Sequence, residues 1–179
     1  MYLHKAGCIY EIRSYDLIIA LFAAMIFLVS ADQLIKIWAI ENLRGSEPVQ
    51  FIKIGSTEIL NLNYLENNGA VFGSFSGMRY MLIVVTAVMI AACTYIMIKN
   101  YKKSKFLSVS LALVISGGIG NIIDRIFRNG KVVDYFEIRL FNFAIFNFAD
   151  CCVVIGVVLL MIYVLFIDGR NKKVTAENK

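Results

Sequence analysis

Four apolar runs, residues 17–40, 79–98, 106–123 and 151–167, constrain this chain more than any other feature. A bilayer core is crossed by about 20 apolar residues in a helix, and each run approaches or exceeds that length. Composition agrees: only 17% of the residues are charged, against about a quarter in soluble domains. The mean hydropathy is +0.71. The expected fold is therefore an integral membrane α-helical one with four transmembrane helices. The fourth run is short and is expected to begin a turn earlier, near Phe148. The first run is too long for a cleaved leader, and Asp32 and Lys36 interrupt it, so it reads as a retained helix.

Lysine and arginine set the orientation. Lys5 and Arg13 precede the first run, KNYKKSK joins the second to the third, and Arg170, Lys172, Lys173 and Lys179 follow the fourth. The other two connections, 41–78 and 124–150, are less dense in positive charge. Both termini are thus expected to be cytoplasmic, with these two loops on the outer face. In that arrangement Asp32, Lys36, Asp124, Asp134 and Asp150 all lie toward the outer membrane–water interface. The net charge of +5 is modest, and no basic patch is interleaved with aromatics as nucleic-acid binding requires.

The outer loop contains QFIKIGSTEILNLNYL, which reads as two strands, 50–54 and 57–64, joined at Gly55-Ser56. A turn-rich, glycine-containing segment follows and leads into the second span. No repeat or long linker divides residues 1–179, so a single domain is expected. Cys8, Cys93, Cys151 and Cys152 read as small apolar residues. With His4 the one histidine, no metal-ligand spacing occurs, and no cofactor is expected.

The polar residues in apolar surroundings carry the remaining information. Asp32 and Lys36 stand four apart on one helix face and are expected to neutralise each other. Gly117, Gly118 and Gly120 permit close helix packing in a bilayer. Asp124 reads as a structural charge partner of the adjacent Arg125, and Asn121 as a neutral hydrogen-bonding group. Asp134 and Asp150 have uncharged neighbours. On one continuous helix their 16-residue separation would span about 24 Å. The aromatic, irregular stretch between them suits an extended excursion that folds back and brings them together. Asn147 is a candidate N-cap for the fourth helix, whose first turn favours the charge on Asp150.

Two adjoining carboxylates share a proton, which suits one as base toward water and the other as acid toward a carbonyl. From spacing alone, two unrelated interface aspartates remain open. So do a proton-coupled transporter with Asp32, Lys36 and Asp124 as relay, and a non-enzymatic membrane scaffold.

Five motifs in order resemble those of the lipoprotein signal peptidase (signal peptidase II) family: DQLIK at 32–36, NNGAVFG at 67–73, GGIGNIIDR at 117–125, VVDY at 132–135 and FNFAD at 146–150. The resemblance spans the first run to the fourth and implies an aspartic endopeptidase of the bacterial cytoplasmic membrane. It would remove signal peptides from prolipoproteins, cutting before a diacylglyceryl-modified cysteine. Carried over by motif, the dyad falls on Asp134 and Asp150, with Asp124 in support. Asn67, Gly69, Asn121, Arg125 and Asn147 match positions that shape the cleft or contact substrate, and Asp32 and Lys36 match the first-helix motif. The resemblance implies that the outer hairpin and the 67–77 segment clasp the substrate, with membrane lipid around it and no metal or organic cofactor. A monomer is the simplest assembly. Tyr135 stands where the family usually has phenylalanine, and Val71 where it has alanine.

Overall fold

The computed structural model describes residues 2–69 and 78–168, with side chains from residue 16 onward. Helix α1 spans Tyr2–Leu43, and its apolar part is Asp16–Leu43. It is followed by β1, Val49–Ile54, and β2, Thr57–Asn67. Helices α2, Arg79–Asn100, and α3, Lys105–Phe127, form a hairpin. Strand β3 is Val132–Ile138, and α4, Phe148–Ile162, continues through a π-helical turn to Asp168. Four helices are long and apolar enough to cross a membrane. Their outward faces carry Ile26, Phe27, Val88, Val154 and Leu165, all more than 60% exposed. That much exposed apolar surface is tolerable in lipid and not in water.

Helix α3 is the axis of the bundle. Half of its apolar window is buried, against 17% or less in the other three, and it packs on α1, α2 and α4. Glycine makes the closest of these approaches possible. A Cβ on Gly117 would strike the Ala149 carbonyl oxygen and lie 2.7 Å from Val153 Cγ2. Away from the sheet, Leu21, Met25, Cys93, Met97, Leu111, Ala112 and Ile115 form the apolar core of α1, α2 and α3. Ser108, Ser110 and Ser116 satisfy their hydroxyls on carbonyls one turn earlier.

At the opposite end lies an antiparallel sheet in the order β1-β2-β3. The expected hairpin is present, with Gly55 at φ 61° in its two-residue turn. It begins at Val49 and extends to Asn67, three residues past the expected end. The pairing of β2 with β3 sets Leu65 opposite Asp134 and Asn67 opposite Val132. This third strand is where the predicted excursion lies. The chain then turns back: Phe136 and Phe146 exchange backbone hydrogen bonds at 2.7 and 3.1 Å. That bridge brings the start of α4 beside β3. The sheet docks on α1 through Ala39, Leu43, Val133 and Tyr135.

Helix boundaries differ from the sequence reading mainly at polar ends. Helix α3 runs to Phe127 and so contains Asp124 and Arg125, because hydropathy falls a full turn before the helix does. Helix α4 begins at Phe148, as expected. Cys93, Cys151 and Cys152 are free thiols. The side chains of His4, Lys5, Cys8 and Arg13, residues 70–77 with Val71 and most of the proposed clasp, and the basic C-terminal tail lie outside the described residues.

Candidate active site

Asp134 is held by the β2–β3 register and is 2% exposed. Asn67, at the end of β2, donates Nδ2 to Asp134 Oδ2 at 3.0 Å, and its own Oδ1 accepts the Gly69 N–H at 2.9 Å. Asn147 Nδ2 donates to the other oxygen, Asp134 Oδ1, at 2.6 Å.

Asn147 is also the N-cap of α4, as its sequence position suggested. Its Oδ1 accepts the Asp150 N–H at 2.9 Å, and Asp150 Oδ2 accepts the Asn147 N–H at 3.1 Å. This reciprocal capping box satisfies two backbone donors that the first helical turn leaves unpaired. Asp150 Oδ1 accepts from Asn121 Nδ2 at 2.8 Å. One asparagine therefore contacts both carboxyl groups, and the side-chain donors on them are neutral amides. Burial, and then the neighbouring Asp150, push the Asp134 carboxyl up to about 7 against the opposing pull of Asn67, Asn147 and Lys36.

Beneath this pair lies a fully buried ionic layer. Lys36 Nζ is 2.9 Å from Asp32 Oδ2 and 3.0 Å from Asp124 Oδ2, and it donates to Asn121 Oδ1 at 3.1 Å. By occupying that oxygen, Lys36 helps turn the Asn121 amide so that its NH2 faces Asp150. Asp32 Oδ1 accepts the Ala149 N–H at 3.0 Å, and Asp124 Oδ2 accepts the Val133 N–H at 3.1 Å. Each carboxylate thus ties a transmembrane helix to the residue preceding one aspartate of the pair. Gly120 leaves the room for Asp32, since a Cβ there would lie 2.5 Å from Asp32 Oδ2.

One expectation is overturned. Asp124 does not pair with Arg125; its cations are Lys36 and Arg128, the latter at 3.2 Å. Consecutive residues on a helix point in divergent directions, whereas residues four apart share a face. Arg125 instead donates Nη2 to the Gly69 carbonyl at 3.0 Å, tying α3 to the segment after β2.

Every residue nominated from the sequence joins this network: Asp32, Lys36 and Asp124 below, Asn121 and Asn147 between, Asp134 and Asp150 above, and Asn67, Gly69 and Arg125 at one side. Three contributors were missed. Arg128 stands four residues after Asp124, a spacing that would have revealed it. Gln33, whose Nε2 reaches Asp32, Asp124 and the Gly120 carbonyl, is uncharged and left no signal. The Tyr135 hydroxyl accepts the Phe148 N–H at 3.1 Å, a contact that needs the β3–α4 juxtaposition to be seen. Among the described residues, no group of three or more His, Cys, Asp or Glu side chains is arranged to hold a metal ion.

Residues 24–166 match the family model described as Signal peptidase (SPase) II. The lipoprotein signal peptidase of Streptococcus thermophilus strain CNRZ 1066 is 38% identical over 144 residues, covering 80% of this chain and 91% of its own. That of Enterococcus faecalis strain V583 is 38% identical over 157 residues, covering 88% and 94%. The fold is similar to a bacterial membrane enzyme solved by the in meso method at 2.3 Å, with TM-score 0.70, 30% identity and coverage of 86% and 91%. A second such enzyme, at 1.9 Å, has TM-score 0.64, 28% identity and coverage of 83% and 94%.

Proposed function

Since the chain belongs to the signal peptidase II family, we propose that Asp134 and Asp150 are the catalytic dyad with which it frees prolipoproteins of their signal peptides. The observation that carries this reading is the bridging asparagine: Asn147 contacts Asp134 through its side chain and Asp150 through its backbone.

Asp134, buried in the strand pair, holds the shared proton near neutral pH. Asp150, in the first turn of α4, takes the role of base. Asp150 accepts a proton from a water molecule as its oxygen bonds to the scissile carbonyl carbon. Asp134 delivers its proton to the carbonyl oxygen, giving a neutral tetrahedral diol. Asp134 then recovers a proton from one hydroxyl as the carbonyl re-forms, Asp150 protonates the departing nitrogen, and the C–N bond breaks. Arg125 Nε, buried and without a hydrogen-bond partner among the described residues, is available to a substrate carbonyl.

The substrate carries a diacylglyceryl group on the cysteine after the cut, so the bond is presented at the membrane boundary. The dyad lies at the end of the spans where the sheet begins, which suits that depth. The sheet end faces outward from the bacterial cytoplasmic membrane, the termini face the cytoplasm, and the enzyme acts as a monomer without nucleic acid.

The test uses purified protein in nanodiscs with a diacylglyceryl-modified prolipoprotein and follows the substrate mass. Cleavage before the lipidated cysteine is expected for wild type and not for folded Asp134→Asn or Asp150→Asn. Near wild-type turnover by either variant overturns the dyad.

A further inference from the structure

On the face of the β2–β3 pair away from Asp134 lies a cavity of about 290 Å³, lined by Ile40, Arg44, Tyr64, Glu66, Arg128 and Lys131 among others. Alternation along a strand separates the two faces: Val133 lines the cavity while its neighbour Asp134 meets Asn67 and Asn147. The cavity is thus a second feature of the molecule, distinct from the dyad.

Its charge is unbalanced. Two cations from separate parts of the chain, Arg44 and Lys131, face one carboxylate, Glu66, and a third, Arg128, also lines the wall. Glu66 Oε1 takes Arg44 Nη2 at 3.1 Å and the Tyr64 hydroxyl at 2.9 Å, while Oε2 takes Lys131 Nζ at 2.6 Å. Arg128 faces Asp124, which Lys36 also claims. The cationic heads remain accessible: the side chains of Arg44, Lys131 and Arg128 are 61%, 43% and 30% exposed. Glu66 therefore acts as a fixed post that gathers Arg44 and Lys131 without filling their donor capacity; one guanidinium alone has five N–H groups.

The cavity also has an apolar approach. Ile37, Ile40 and Arg44 follow at spacings of three and four on α1, so they share a face. Ile37 is 45% exposed and Leu34, one turn earlier, 66%. A lipid-facing stripe thus leads directly to a cluster of cations at the end of the span. Arginine forks match phosphate oxygens, and basic pockets at helix ends bind anionic headgroups.

We propose that this cavity binds a phosphodiester anion, and that the anion is the headgroup phosphate of a membrane phospholipid whose acyl chains lie along Leu34 and Ile37. The shared chemistry with free phosphate is the set of anionic oxygens; the apolar stripe distinguishes the lipid.

The experiment titrates full-length protein in detergent with phosphatidylglycerol or phosphatidylcholine and counts retained lipid by native mass spectrometry. Wild type is expected to retain phosphatidylglycerol about tenfold better than phosphatidylcholine, and Arg44→Gln/Lys131→Gln to lose that preference. Arg44→Gln alone, at a well-exposed position, keeps the test decisive should the double variant unfold. Lys99→Gln/Lys103→Gln, in the basic loop at the other end of α2, is expected to behave as wild type. Equal retention by wild type and Arg44→Gln overturns the site. Stabilisation by inorganic phosphate without any preference for phosphatidylglycerol overturns the lipid as its occupant. Retention is read without substrate, so it stands or falls apart from the peptidase reading.

Discussion

Asn147 reaches Asp134 across 13 residues of chain, donating Nδ2 to Oδ1 at 2.6 Å, while its own backbone N–H is held by Asp150 at 3.1 Å. Structural capping and positioning of the carboxyl pair are therefore vested in one side chain, and substitution can separate them. Asn147→Ser retains an N-cap hydroxyl but is too short to bridge. It is expected to lose roughly a hundredfold in turnover, as small misplacements of reacting groups do, with little change in Tm. Asn147→Ala should lose the same activity and also about 1 kcal/mol of stability from the missing cap. Thermal unfolding beside the cleavage assay checks both; normal turnover by Asn147→Ser would show that the bridge is dispensable.

Asp134 gives a pH prediction whose sign follows from its raised value. Its carboxyl rises on folding from 3.8 to about 7, so between those values the folded protein binds more protons than the unfolded one. Stability therefore falls as pH rises through this window, by linkage. Asp134→Asn removes the effect, so its Tm advantage over wild type should grow from pH 4 to about 7 and then level off. Cleavage by wild type should decline as pH rises past about 7, where the acid is lost. A Tm difference that is constant with pH would contradict the assignment.

Lys36 is fully buried between Asp32 and Asp124. Lys36→Met would leave two carboxylates facing each other without their cation, and breaking a buried pair in this way costs about 3–5 kcal/mol. Asp32→Asn added to that background should restore part of the loss, a coupling that a double-mutant cycle measures. Additive effects would mean that the ionic layer does not act as a unit.

Two neighbouring glycines should respond differently to alanine. At Gly117 the new methyl meets the Ala149 carbonyl and the Val153 backbone, which cannot yield without moving α4. At Gly118 it lies 3.1 Å from both Cδ1 and Cγ1 of Ile90, a side chain that can rotate, and meets no backbone. Gly117→Ala is expected to destabilise by roughly 1–3 kcal/mol, the usual range for overpacking, and to slow cleavage by shifting Asp150. Gly118→Ala should stay close to wild type in both assays. Equal Tm values for the two variants would remove the close α3–α4 approach as a constraint on the site.

Much of the architecture was legible because its signals are local. The spans follow from hydropathy over single runs, and Asp32–Lys36 from helical spacing. Asn147 was visible as a cap three residues before Asp150. The same locality misled at Asp124. Its sequence neighbour Arg125 suggested a pair, but the helix turns that side chain toward Gly69, and the partner cations come from Lys36 and Arg128. Strand β3 was read only as an extended excursion, since its pairing with β2 joins residues about 70 positions apart in register, such as Leu65 with Asp134.

The sequence by itself determined that the chain enters lipid four times and which polar residues accompany it there, because hydrophobic burial and helix geometry act over a few turns. Only the tertiary structure decided who those residues face. Asp32 accepts the N–H of Ala149 from 117 residues away, and Asn147 bridges two carboxyl groups because Phe136 and Phe146 fold the chain back. Such contacts depend on helices packing at glycine and on a closed loop. Inside a water-poor bundle each buried polar group must find a partner wherever the fold provides one.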